Sequence, residues 1–133
     1  MAVKIDGKRM TGQKVARVAR PTSAGRYEKA SLDAAARSDI AAARDYIDAN
    51  WLTDTAPLMY AFNTGVDLFK DVRIPIADMA HYQDQIIRAH ATGIGEPFAT
   101  DIVRATMLLR ANAFASAYSG ATVPLIERPT AVS

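Results

Sequence analysis

Apolar positions along the chain change period several times, and each change marks an element. In "AVKIDG" (2–7) apolar and polar residues alternate up to Gly7, which predicts a short strand. "TGQKVARVAR" (11–20) then carries a helical period, with Thr11 as its N-cap and Pro21 closing it. "PTSAGRYEKA" (21–30) has no period and reads as a connecting loop. From Ser31, a good N-cap, Leu32, Ala36, Ile40, Ala43, Ile47 and Trp51 recur at helical spacing through "SLDAAARSDIAAARDYIDANWL" (31–52). "TDTAPLM" breaks that helix.

Pro75 opens a third helix, "PIADMAHYQDQIIRAHA" (75–91), with Ile76, Met79, Gln83, Ile86/Ile87 and His90 expected on one side. "TGIGEPFA" (92–99) is a second irregular segment. Thr100 and Asp101 cap a fourth helix, "DIVRATMLLRANAFASAY" (101–118), with Ser119-Gly120 as its stop. That helix is apolar almost all round, from Ile102 and Val103 through Met107, Leu108 and Leu109 to Phe114. A chain of 133 residues with three other modest helices cannot bury every side of it. An uncovered apolar side usually marks an interface, so the chain is expected to be part of something larger.

The class is mainly α: a short N-terminal strand, about four helices and two irregular loops. One domain is expected over residues 1–133, with 1–30 a basic strand, helix and loop arm and 31–133 the remaining helices and loops. Composition agrees with a globular chain, since 50% of residues are hydrophobic and 23% charged. No apolar run reaches the ~18 residues of a membrane span, and "MAVKIDGKRM" lacks the apolar core of a secretory signal. The absence of cysteine excludes disulfides and thiolate chemistry and fits a cytoplasmic location.

Charge adds one asymmetry. Residues 1–29 hold eight Lys/Arg against Asp6 and Glu28, a net +6, and the rest of the chain carries −4. Such an arm could bind nucleic acid. Tyr27 is the single aromatic residue in that stretch, too little for interleaved base stacking, so a solvated face is the simpler reading.

Most familiar site types are missing. His81 and His90 stand nine residues apart with no acidic residue in phase, so no metal site is expected. "GIG" (93–95) follows a helix where a dinucleotide fingerprint needs a strand. "YSGA" lacks the spacing of a nucleophile elbow. What remains is "MYAFNTGVDLF" (59–69), a tyrosine on a segment that neither helix nor strand favours. A tyrosine among hydrophobes is ordinarily an anchor. On a loop it can also be a general base placed over a pocket.

"YAFNTG" (60–65), "DVRI" (71–74), "IIRAHATGIGEPF" (86–98) and "VRATMLLRANAFASAYSG" (103–120) stand in the order and spacing seen at the start of the aromatic amino acid ammonia-lyases. The chain resembles the N-terminal portion of that family, and histidine ammonia-lyase most. These enzymes use a methylidene-imidazolone (MIO) electrophile formed from Ala-Ser-Gly. The resemblance implies the N-terminal part of the ammonia-lyase helical fold, with Tyr60 as the base that removes the substrate β-proton. It places Asn63 and Gly65 with the substrate-binding residues and Thr64, Val66, Asp67 and Gly93 among those that shape the site. His90, preceded by Ala89, matches the family's Ser-His pair and is expected to bind and select a small amino acid substrate with a polar or imidazole-like side chain.

Three departures stand out. Ala61 replaces a family glycine, which should stiffen the loop. Val66-Asp67 replaces Phe-Gly, and Asp67 brings a negative charge that opposes proton loss from the phenol if the two are close. The sequence also contains no Ala-Ser-Gly. The expectation is therefore the small chain of a split MIO-type ammonia-lyase, inactive alone, in a hetero-oligomer with a larger lyase-like chain that carries the electrophile. The initial Met and a final stretch that departs from the family pattern are taken as a natural terminus. A non-catalytic subunit on the same scaffold, part of an aminomutase, and a basic nucleic-acid-binding module are the alternatives.

Overall fold

A computed structural model describes residues 2–130, which gather into two compact units: residues 2–44 with 97–130, and residues 45–96. The first unit is built on two short parallel strands, β1 (Val3–Ile5) and β2 (Ala30–Leu32), in the register Val3 to Ala30, Lys4 to Ser31 and Ile5 to Leu32. Parallel strands need a crossover, and helix α1 (Gly12–Ala19) lies within it. Thr11 caps α1 as the sequence suggests, its Oγ1 accepting from the Lys14 amide. Arg20 ends the helix one residue before Pro21.

β2 is a strand where a loop and a helix cap were expected. Pairing with β1 draws Ser31 into extended backbone, and Asp33 takes over the cap, its carboxylate accepting from the Ala35 amide at 3.0 Å. Helix α2 then runs over Ala34–Asn50, with Ala36, Ile40 and Ile47 buried at the predicted spacing.

In the second unit, α3 spans Ile76–His90. Its half-buried residues are Ile76, Met79, Tyr82 and Ile86, so the third stripe position is Tyr82, and Gln83 and His90 face solvent. Steps of three and four residues fit either tyrosine or glutamine at that turn. The tyrosine wins because its ring has apolar surface to bury.

Back in the first unit, α4 (Thr100–Phe114) ends earlier than expected. The chain turns through a left-handed Ala117 before reaching Gly120, itself left-handed. A fifth helix, α5 (Val123–Thr130), adds to the four expected and carries Pro124 in its first turn. Proline near a helix start gives up only an amide that has no partner there anyway. Burying Ile126 completely brings roughly 1.5–3 kcal/mol and outweighs that small handicap.

The core of this unit is formed by Val3, Ile5, Val18, Ala30, Ala36, Ile40, Leu108, Ala111, Ala115 and Ile126. Gly7 sits under the end of α4 with φ +72°. A Cβ there would lie 2.6 Å from the Ala115 carbonyl oxygen, so only glycine fits. Asn112 joins the same two regions, donating from Nδ2 to the Lys8 carbonyl at 2.8 Å. Arg104 stitches α4 to α1 through the Val18 carbonyl and lies 4.0 Å over the Tyr27 ring. On α4, Leu108, Ala111 and Asn112 are buried, whereas Ile102, Val103, Met107 and Leu109 are exposed. The uncovered apolar side expected from the sequence is present.

Candidate active site

The segment from Met59 to Ile74 is irregular but closely bonded. Asn63 is its centre. The side chain is fully buried, accepts from the Met59 amide at 2.7 Å, and donates from Nδ2 to the carbonyls of Trp51 and Pro57 at 2.8 Å each. Its own carbonyl accepts from the Ile74 amide. These bonds tie the loop to Trp51, Pro57 and Met59 from within.

Thr64, also buried, accepts from the Ala61 amide at 3.1 Å and donates to the Gly65 carbonyl at 2.9 Å. Gly65 pairs with the Val72 carbonyl and is packed against Phe69. A Cβ at 65 would fall 2.5 Å from the Phe69 Cβ, so its glycine is a packing requirement, and Gly65 is buried. Beneath the loop, Tyr46, Trp51 and Phe62 form an edge-to-face series with ring centres 5.8 and 4.9 Å apart.

On this base stands Tyr60. Its side chain is 57% exposed, and its hydroxyl has no hydrogen-bond partner among the described residues. A phenol raised on a fixed loop and left unbonded is available to a ligand. Asp67 is exposed and begins a short 3₁₀ helix, Asp67–Phe69. No hydrogen bond joins its carboxylate to Tyr60.

Two of the departures from the family loop fall at strained backbone. Ala61 has φ +60° and Asp67 has φ +51°. Those are the positions where the family pattern carries glycine, the residue that adopts left-handed backbone freely, so here Ala61 and Asp67 bear the strain of that conformation. Val66 is extended, and its amide donates to Tyr82 Oη on α3 at 3.1 Å. Sequence reasoning missed Tyr82, and only the three-and-four stripe of α3 pointed toward it.

His90 closes α3. Its Nδ1 lies 2.8 Å from the Ile86 carbonyl oxygen. A carbonyl only accepts, so Nδ1 carries the proton, and Nε2 is the group left for a ligand. Ala89 and Gly93 are exposed, and a side chain at Gly93 would meet nothing within 4 Å. No hydrogen bond or ring contact joins His90 to Tyr60; each is presented from its own element. No three His, Asp or Glu side chains gather as a metal site among the described residues. No helix there is long and apolar enough to cross a membrane.

Strands β1 and β2 under helices, with a tyrosine loop anchored by Asn-Thr-Gly, define a class: this is the N-terminal portion of an ammonia-lyase fold. The chain superposes over 98% of its length on the ergothionase of Treponema denticola, with a TM-score of 0.85 and 22% identity, covering 25% of that chain. It matches the tyrosine aminomutase of Streptomyces globisporus equally well over 23% of that chain. At such identities the likeness concerns the fold alone.

The sequence carries the assignment further, because residues 10–132 match the model of the aromatic amino acid lyase family, and the chain belongs to that family. It is 34% identical over 125 residues to histidine ammonia-lyase 2 of Fusobacterium nucleatum, covering 94% of this chain and 23% of that one. Over 100 residues it is 39% identical to histidine ammonia-lyase of Deinococcus radiodurans, covering 75% of this chain and 19% of that one. Against histidine ammonia-lyase of Geobacillus kaustophilus the identity is 47% over 70 residues, covering 53% and 14%. The chain thus spans about a quarter or less of the relatives it matches.

Proposed function

We propose that this chain supplies the proton-abstracting part of an MIO-type amino acid ammonia-lyase, as the small chain of a split cytoplasmic enzyme. The observation that carries the reading is the exposed, unbonded phenol of Tyr60 above a loop whose buried polar groups are nearly all satisfied from below. A larger lyase-like chain would complete the site. The exposed apolar residues of the tyrosine-bearing unit, among them Leu58, Leu68, Phe69 and Ile87, and the open side of α4 support an association of that kind.

The residues of this chain do not fit formation of MIO itself, since Ala-Ser-Gly does not occur among them. When present, that group supplies an electrophile for the substrate amine. The work of this chain is positioning and proton transfer. Tyr60 Oη is the base that takes the β-proton. The Cβ–H electron pair becomes the Cα=Cβ bond, and the Cα–N bond breaks with its pair leaving on ammonia. His90, with Nε2 free, orients the substrate side chain. Next to Ala89 it favours a small amino acid with a polar or imidazole-like group.

The test is co-purification with a chain that carries Ala-Ser-Gly, followed by turnover of the complex with Tyr60→Phe. Loss of deamination is the expected result. Full turnover in that complex would sink the base assignment. It would favour a second reading, a non-catalytic subunit on the lyase scaffold, to which the charge of Asp67 at the loop's end already lends support. Deamination by the chain alone would remove the need for a split enzyme.

A further inference from the structure

Among the described residues, one hydrogen bond from an α3 side chain reaches the tyrosine loop. It runs from the Val66 amide to Tyr82 Oη at 3.1 Å. Within the loop, the other amide bonds are made to its own carbonyls or side chains. Phe62 and Asn63 bond to Met59, Gly65 to Val72, Phe69 to Val66 and Ile74 to Asn63. Val66 itself lies between Gly65, which cannot accept a side chain, and Asp67, whose backbone is left-handed.

Tyr82 is half-buried in the α3 stripe with Met79 and Ile86, so packing fixes its ring and aims its hydroxyl. A tyrosine held in that way registers the loop against α3, the helix that ends at His90.

We infer that Tyr82 is a positioning residue for Tyr60, latching the loop to α3 through the Val66 amide. The inference rests on the reading of Tyr60 as the base, but its first test does not. Amide hydrogen exchange is followed in the full 133-residue chain, in the wild type and in Tyr82→Phe, which keeps the ring and removes the acceptor. Loss of one ordinary hydrogen bond should speed exchange about fivefold.

The expected result is faster exchange at both Val66 and Gly65, with the α1 and α4 amides unchanged. Faster exchange at Val66 alone, at neither residue, or uniformly along the chain would overturn the latch. If Tyr82→Phe does not fold, the wild type decides alone: Val66 must be protected there, and an unprotected Val66 amide ends the proposal.

In the complex with an Ala-Ser-Gly-bearing chain, Tyr82→Phe should lower kcat about fivefold per active site and leave KM unchanged, because His90 is untouched. A KM increase with kcat unchanged would place Tyr82 in binding and overturn the assignment. Turnover indifferent to Tyr60→Phe would instead fault the assignment of the base, leaving the exchange result intact.

Discussion

Asn63 reaches twelve residues back along the chain and donates from Nδ2 to the Trp51 carbonyl at 2.8 Å, while the Trp51 ring meets Phe62 edge-on. One residue thus supports the loop twice, by its backbone and by its ring. Asn63→Ala would leave the Met59 amide and the Trp51 and Pro57 carbonyls without their partner. The expected loss is about 3 kcal/mol of folding stability, read from denaturant midpoints. A residue whose task was to touch substrate would change stability by less than about 0.5 kcal/mol on the same substitution, so the measurement separates anchor from ligand.

Ala61 and Asp67 offer the opposite experiment. Both hold left-handed backbone, at φ +60° and +51°, that L side chains adopt at roughly 1–2 kcal/mol. Ala61→Gly should therefore raise stability by about 1 kcal/mol, and Asp67→Gly by about half that, because aspartate tolerates the conformation better. Thermal unfolding of the two variants checks this. A fall in melting temperature for Ala61→Gly would show that side-chain packing outweighs the strain.

These positions also show how much of the molecule its sequence made legible. Thr11, the spacing of Ala36, Ile40 and Ile47, and the uncovered side of α4 follow from capping and periodicity, which are local. The Tyr60 loop was recognisable as a pattern of residue types, yet what each residue does there depends on distant partners. Nothing near Asn63 in the sequence announces the Trp51 carbonyl, and nothing near Val66 announces Tyr82. β2 and α5 were hidden for the same reason: Ser31 is extended only because Lys4 lies beside it, and Ile126 makes a helix worthwhile only where a core awaits it.

Arg17 and Glu28 form a two-pronged ion pair, Nε to Oε2 at 2.7 Å with a second contact from Nη2 to Oε1. The arginine holds the Glu28 carboxyl below its ordinary range, chiefly through the hydrogen bond, and Glu28 in turn raises Arg17 above its own. For Glu28 the folded-state value is the lower one. Its stabilising effect is thus full above the unfolded carboxylate value and lost as pH falls through the folded one. Arg17 works in the opposite sense and would lose its effect only at strongly alkaline pH. Arg17 is exposed and Glu28 only half-buried, so the effect is small and screened by salt. Glu28→Gln should flatten the acid limb of a stability-against-pH profile slightly and leave the neutral plateau nearly unchanged; a pronounced drop at neutral pH would contradict this.

The first unit is assembled from two stretches of chain with the tyrosine-bearing unit between them. Synthesis therefore delivers β1 long before the residues that cover it. Val3 and Ile5 can pair with β2 early, but Leu108, Ala111, Ala115 and Ile126 arrive last. Until then the strand pair keeps an oily face uncovered on the ribosome. Gly7 finds the underside of Ala115 only after the whole tyrosine loop has been made, so that loop is complete before the first unit can shut.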